Sequence, residues 1–168
     1  LKHHPNDAAF FRDIVRAGHR VRLMGASVVA NALSHGRAES DIEIVPFADQ
    51  SAQQFLSGLD CFLYRAHPHW YETGGNVVTE AMAMQLPVIV FGEQLGIAEI
   101  IEHGVNGFVV STEEEVLDIL AELTANPAMR TEVGVRARET LVRMAAEQNE
   151  RSIGFYRDRT AAAQDEIT

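Results

Sequence analysis

The chain has 168 residues, about the length of one domain, and 46% of them are hydrophobic against 23% charged. That is enough apolar side chain for a sizeable core, so intrinsic disorder and a collagen-like chain are excluded. With 24 acids against 14 bases the formal net charge is -10, which argues against a surface built to hold nucleic acid or an anionic membrane.

No apolar run approaches a membrane span, and the start Leu1-Lys2-His3-His4-Pro5 lacks the apolar core of a signal peptide. The expectation is a soluble intracellular protein. A start at Leu1 instead of Met leads us to expect a piece of a longer chain. Lys2 is the single lysine, the other bases being arginines.

In chain order, Asn6-Asp7 supplies capping side chains for a helix that Gly18 closes. A β-like run, Val21 to Met24, stops at Gly25. A second helix is expected from Ser27 through Leu33, then a strand over Ile42 to Val45, then a helix from Ser51 through Leu59. Cys61 to Tyr64 reads as a buried strand, in which Cys61, with no second thiol to pair with, serves as a small hydrophobe. Asn76 to Met84 reads as a helix, Val88 to Phe91 as a strand, Ile97 to Glu102 as a helix and Gly107 to Val110 as a strand. Ser111 or Thr112 with Glu114 or Glu115 matches a capping box. From Asn126-Pro127 to about Ala163 the chain is helical, with a break expected at Gly134.

Strand and helix in alternation predict an α/β fold, a doubly wound Rossmann-like parallel sheet with helices on both faces. Residues 1–125 are expected to form the α/β domain, its first strand missing upstream, and 126–168 a helical extension of it. Ligands of such sheets sit at the carboxyl ends of the strands.

The segment Trp70 to Pro87 is the richest in chemistry. Gly74 and Gly75 enter a helix at Asn76 and Val77, an arrangement that lets an anion approach free amides, although a Gly-Gly turn is also simply a turn. Glu72 and Glu80 frame that turn. Ionised carboxylates accept hydrogen bonds in pairs, which suits vicinal hydroxyls; the alternative is a cap at Glu72 and a solvated helix charge at Glu80. A second glycine loop, Gly92 to Gly96, joins a strand to a helix on the same edge. His67 and His69 lack the acidic or thiol partners of a metal motif.

The spacing Glu72-x7-Glu80, its continuation Glu-Ala-Met-Ala-x-x-x-Pro-Val, and Gly96-Ile-Ala-Glu-Ile-Ile-x-x-Gly-x-Asn-Gly-Phe-Val-Val resemble the donor-binding half of retaining group 1 glycosyltransferases of the GT-B fold, the GT4 type. The likeness runs from about Val21 to Glu139. It implies that Glu72 binds the donor sugar and Lys2 neutralises the diphosphate, these two being the catalytic candidates. By the same likeness Glu80 binds the ribose hydroxyls, and the donor is lined by Gly25, Gly74, Gly75, Asn76, Val77 and Gly96. It further implies a nucleoside diphosphate sugar as donor and no metal or other cofactor. The partner it implies is an N-terminal domain of the same chain, through which a cytoplasmic enzyme would meet its acceptor or the inner face of a membrane. Gly74 stands where the family usually has an aromatic residue. The fragment alone is expected to be inactive. The rival readings are a non-catalytic nucleotide-sugar-binding or assembly module and a nucleotide-sugar epimerase.

Overall fold

A computed structural model describes residues 4–25, 29, 33, 41–67, 69, 76–92 and 96–165, with side chains through 150. Helix α1 (Asp7–Arg16) leads into strand β1 (Val21–Met24), which pairs in parallel with β2 (Ile42–Val45), Val21 opposite Ile42. A one-turn helix α2 (Ala52–Leu56) precedes β3 (Phe62–Arg65). Then come α3 (Asn76–Ala83), β4 (Val88–Phe91), a 3-10 helix (Gly96–Ile100) and β5 (Phe108–Val110). Strands β3, β4 and β5 form a second parallel ladder in that order. Helices α4 (Glu113–Ala125) and α5 (Pro127–Asp165) close the chain. No helix is long and apolar enough to cross a membrane among the described residues.

Every expected strand forms, and all pairings among the described residues are parallel, as the alternation of strand and helix predicts. β4 is the most deeply held: Val88, Ile89 and Val90 are wholly buried, so both faces of this strand are covered and its apolar run is continuous instead of alternating. Two apolar layers cover the sheets. One gathers Phe10 and Ile14 of α1 and Val116, Ile119 and Leu123 of α4 against Val21, Ile89 and Phe108. The other gathers Phe55 of α2, Val78 and Met82 of α3 and Ala137 of α5 against Tyr64, Val88 and Val90. Each layer reaches both ladders, so the molecule is an α/β/α sandwich whose middle layer is divided between β1 and β3.

Several local expectations change. Asn6 does not cap α1 with its side chain; its Nδ2 donates instead to Glu113 Oε1 at 2.9 Å. The helix from Ser51 ends at Leu56, three residues early, because Gly58 N and Leu59 N turn back to Phe55 O and Leu56 O. The segment after Gly96 winds as a 3-10 helix, not an α-helix. The expected break at Gly134 is absent, α5 running straight through it. A Cβ there would collide with the carbonyl oxygen of Gln85, so the glycine serves a close crossing of two helices. Gln85 itself is left-handed, φ 59°, at the end of α3, where its N–H bonds Met82 O and Leu86 N–H bonds Ala81 O, a Schellman turn. Of the helix expected over 27–33, only Val29 and Leu33 are among the described residues.

Candidate functional site

Within each ladder the strands run the same way, so their carboxyl ends share one edge of it. Gly25 ends β1 there with φ 65°, and a Cβ on it would strike the Phe47 ring. This glycine is thus required by a turn and a close contact, whether or not a ligand approaches. Gly92 ends β4 with φ 118°. Gly96, exposed, opens the 3-10 helix. Asn76 and Val77 are exposed at the start of α3, Thr79 Oγ1 donates to Asn76 O at 2.9 Å, and Glu80 is exposed one turn on. The structure therefore brings Asn76, Val77 and Glu80 together on one helix. Lys2, Glu72, Gly74 and Gly75 lie outside the described residues.

The helix starts on this edge differ in how their amides are used. At α4, Thr112 Oγ1 accepts from Glu115 N at 3.2 Å, while Glu115 Oε2 accepts from Ser111 N and Thr112 N at 2.7 and 2.9 Å. Those amides hold the Glu115 carboxyl below its ordinary range, and the terminus is satisfied by its own chain. The choice between Ser111 and Thr112 as cap is thereby decided for Thr112. At α2, Ser51 and Gln54 cap each other in the same way. The first turn of α3 contains no acidic side chain, so the field of its amides is not cancelled there by a carboxylate of its own.

The strongest electrostatic feature of the edge is Arg65, which the sequence offers, with His67, His69 and Trp70, as a lining residue of the sugar crevice or as loop packing, without showing its partners. Arg65, at the end of β3, is buried, its side chain only 4% exposed. Its guanidinium lies between the rings of Phe10 and Phe91, 4.7 Å from each centroid. Nη2 donates to Glu113 Oε1 at 2.7 Å and meets His4 Nδ1 at 2.9 Å, and Nε stands 3.8 Å from Asp7 Oδ1. Nε and Nη1 have no hydrogen bond among the described residues. Burial, then the Arg65 charge, lowers the His4 imidazole from its ordinary value against the pull of Asp7 and Glu113. The one available signal was a lone charge inside the apolar run Cys61 to Ala66.

Cys61 is half-buried, and burial of its thiol pushes it up to about 12; the thiolate a nucleophile needs is not populated at neutral pH. Among the described residues no three His, Cys, Asp or Glu side chains gather as a metal site.

The family model described as glycosyl transferases group 1 matches residues 8–126. No curated protein sequence matches the chain. Among solved structures, TarM matches with a TM-score of 0.70 at 18% identity over 83% of this chain and 29% of its own. Anabaena HepE in complex with UDP-glucose matches with a TM-score of 0.64 at 20% identity, over 78% of this chain and 39% of its own. The C-terminal domain of a glycosyl transferase group 1 family protein, LpcC from Francisella tularensis, gives a TM-score of 0.56 at 20% identity, over 69% and 60%. The chain thus spans less than two thirds of each of these structures.

Proposed function

Since the chain belongs to the group 1 glycosyltransferase family, we propose that it forms the donor-binding half of an enzyme moving a hexose from a nucleoside diphosphate sugar to an acceptor hydroxyl, with retention at the anomeric carbon. The observation that carries this reading is the start of α3, where exposed Asn76, Val77 and Glu80 stand on the strand-end edge of the matched fold. HepE, seen in complex with UDP-glucose, supports a nucleotide sugar as the ligand of such a half.

The proposed chemistry divides the donor among few residues. Glu80 accepts hydrogen bonds from the ribose hydroxyls, and Glu72, the first acid of the pair, from hydroxyls of the sugar. The amides at Gly75 and Asn76, with Gly74, Val77, Gly25 and Gly96 shaping the backbone around them, face the diphosphate. Lys2 adds the one ammonium of the chain. Charge that develops on the departing diphosphate is met by groups already in position, and the reading assigns no step to a resident metal. The acceptor and the rest of the cleft belong to an N-terminal domain outside these 168 residues, so the fragment alone is proposed to transfer nothing.

The test is calorimetric titration of the full-length protein with UDP, GDP and ADP sugars, followed by product analysis. Glu72→Ala is expected to reduce transfer by about 100-fold or more, a loss of roughly 3 kcal/mol in transition-state stabilisation, while the thermal midpoint stays near that of the parent. Near-normal turnover of this variant overturns the assignment of Glu72. Tight donor binding without turnover in the parent protein supports the non-catalytic module instead.

A further inference from the structure

Four elements meet on one guanidinium. Arg65 ends β3 opposite Phe91 of β4, its partner in the ladder, and the rings of Phe91 and of Phe10 on α1 cover its two faces. With both faces covered, acceptors reach it in its own plane, and those among the described residues come from two helix starts. Nη2 donates to Glu113 Oε1, in the first turn of α4, at 2.7 Å, and to His4 Nδ1, ahead of α1, at 2.9 Å. Nδ1 is the acceptor there, because Asn6 N–H also donates to it, at 3.1 Å, and neither donor can accept.

The turn from His4 to Asp7 is built on that group. Its own chain closes it, Asp7 N–H donating to His4 O at 3.1 Å and His4 N–H to Asp7 Oδ2 at 3.0 Å. Its polar side chains are all docked: His4 on Arg65, Asp7 with Oδ1 3.8 Å from Arg65 Nε, and Asn6 on Glu113 Oε1, the oxygen that Arg65 also holds. Stability alone does not call for this arrangement. Nε and Nη1 are buried without a hydrogen bond among the described residues, which is unfavourable, and well-packed apolar side chains in place of a buried ion cluster often hold a fold as well. What the guanidinium adds is direction. A rigid fork held flat between two rings takes its partners at fixed angles, and so fixes where the turn lies relative to β3.

Lys2 precedes the turn by two positions. An ammonium on a flexible four-carbon stem is a point charge whose aim depends on the backbone that carries it, and a misplacement of about 1 Å can lower a rate by about 100-fold. We propose, resting on the role given to Lys2 above, that Arg65 is a positioning residue for the transfer reaction: by fixing the His4–Asp7 turn, with Glu113 as a second support, it sets the segment that brings Lys2 to the departing diphosphate. With only 4% of its side chain exposed, Arg65 acts through the turn and not on the donor.

Steady-state kinetics of the full-length protein test this, with the UDP, GDP or ADP sugar that the parent turns over. Arg65→Lys is expected to lower kcat by about 10-fold or more and to change the donor KM by less than about 3-fold, because Lys2 matters most as charge develops in the transition state. In a Lys2→Ala background the same substitution is expected to lower kcat by less than about 2-fold, the non-additivity of residues that act as a unit. Leu123→Ala, a core truncation at the far end of α4, measures what lost stability does by itself: it should lower the thermal midpoint and leave kcat per folded molecule within about 2-fold of the parent. Glu113→Gln, which leaves the guanidinium in place, should repeat the Arg65→Lys pattern more weakly, and it decides if Arg65→Lys does not fold. An unchanged kcat in Arg65→Lys, an undiminished effect in the Lys2→Ala background, or an equal loss of kcat in Leu123→Ala overturns the proposal. If Lys2→Ala leaves transfer unchanged, the proposal falls with the role of Lys2 while the glycosyltransferase reading stands; if the parent itself transfers nothing, both fall.

Discussion

Arg65 ties together residues far apart in the chain: its partners Asp7 and Glu113 come from opposite ends of the α/β region, and Phe10 and Phe91 sandwich its plane. Removing the guanidinium takes the Arg65 charge away from Asp7, whose side chain is only 4% exposed, and from Glu113. Arg65→Met is accordingly expected to cost about 3 kcal/mol in urea unfolding of the full-length protein. Arg65→Lys is expected to cost nearly as much, because an ammonium neither forks between two acceptors nor stacks on two rings. The same cluster makes stability sensitive to acid. The folded His4 binds its proton more weakly than an unfolded histidine. Its contribution is then fully present above the unfolded value and is lost as pH falls through the folded one. Between about pH 7 and pH 5 the parent protein should lose more stability than His4→Gln, read as the divergence of their unfolding midpoints. None of this was legible in the sequence, where Asn6 and Glu113 are 107 positions apart and only the fold closes the distance.

At the scale of elements, α5 and α3 are fitted to each other through Gly134. The Schellman turn at Gln85 aims its carbonyl at α5, and a side chain at 134 has no room beside it. Gly134→Ala should therefore destabilise by about 2 kcal/mol, the usual cost of overpacking, despite the higher helix propensity of alanine; a gain in thermal midpoint would contradict this. Propensity and packing point in opposite directions at this residue, which is why a break was expected from the sequence and a continuous helix was found. A second crossing is held by polar groups: buried Asn106 accepts from Glu102 N and donates to Ile100 O and to Thr140 Oγ1 of α5, at 2.8 to 3.0 Å. The Gly-x-Asn-Gly block, read in the sequence only as part of a family likeness, thus has a structural reason of its own. The strands were legible because their apolar runs are short and flanked by glycine or proline, with β-branched residues in β2, β4 and β5, signals that survive without tertiary information. The geometry of the 3-10 segment was not legible, since it depends on what Ile97 and Ile101 pack against.

For the whole molecule, the direction of the crossovers matters more than any single strand. Helix α1 lies in one layer and α3 in the other, and open α/β sheets of this kind hold ligands at the carboxyl ends of their strands. Arg65 ends β3 on that edge, His67 follows it and α3 starts there, so the proposed donor site takes its place from the winding of the chain. The division of the middle layer also bears on how the protein survives in solution. Among the described residues β1 and β3 each leave one edge unpaired, and such edges are a template for any extended segment that reaches them. Natural sheets guard such edges with lysine, proline or a bulge, and here Val21 to Met24 and Phe62 to Arg65 contain no lysine and no proline. Those edges are thus where association between copies is expected to begin, read as a loss of solubility with rising concentration.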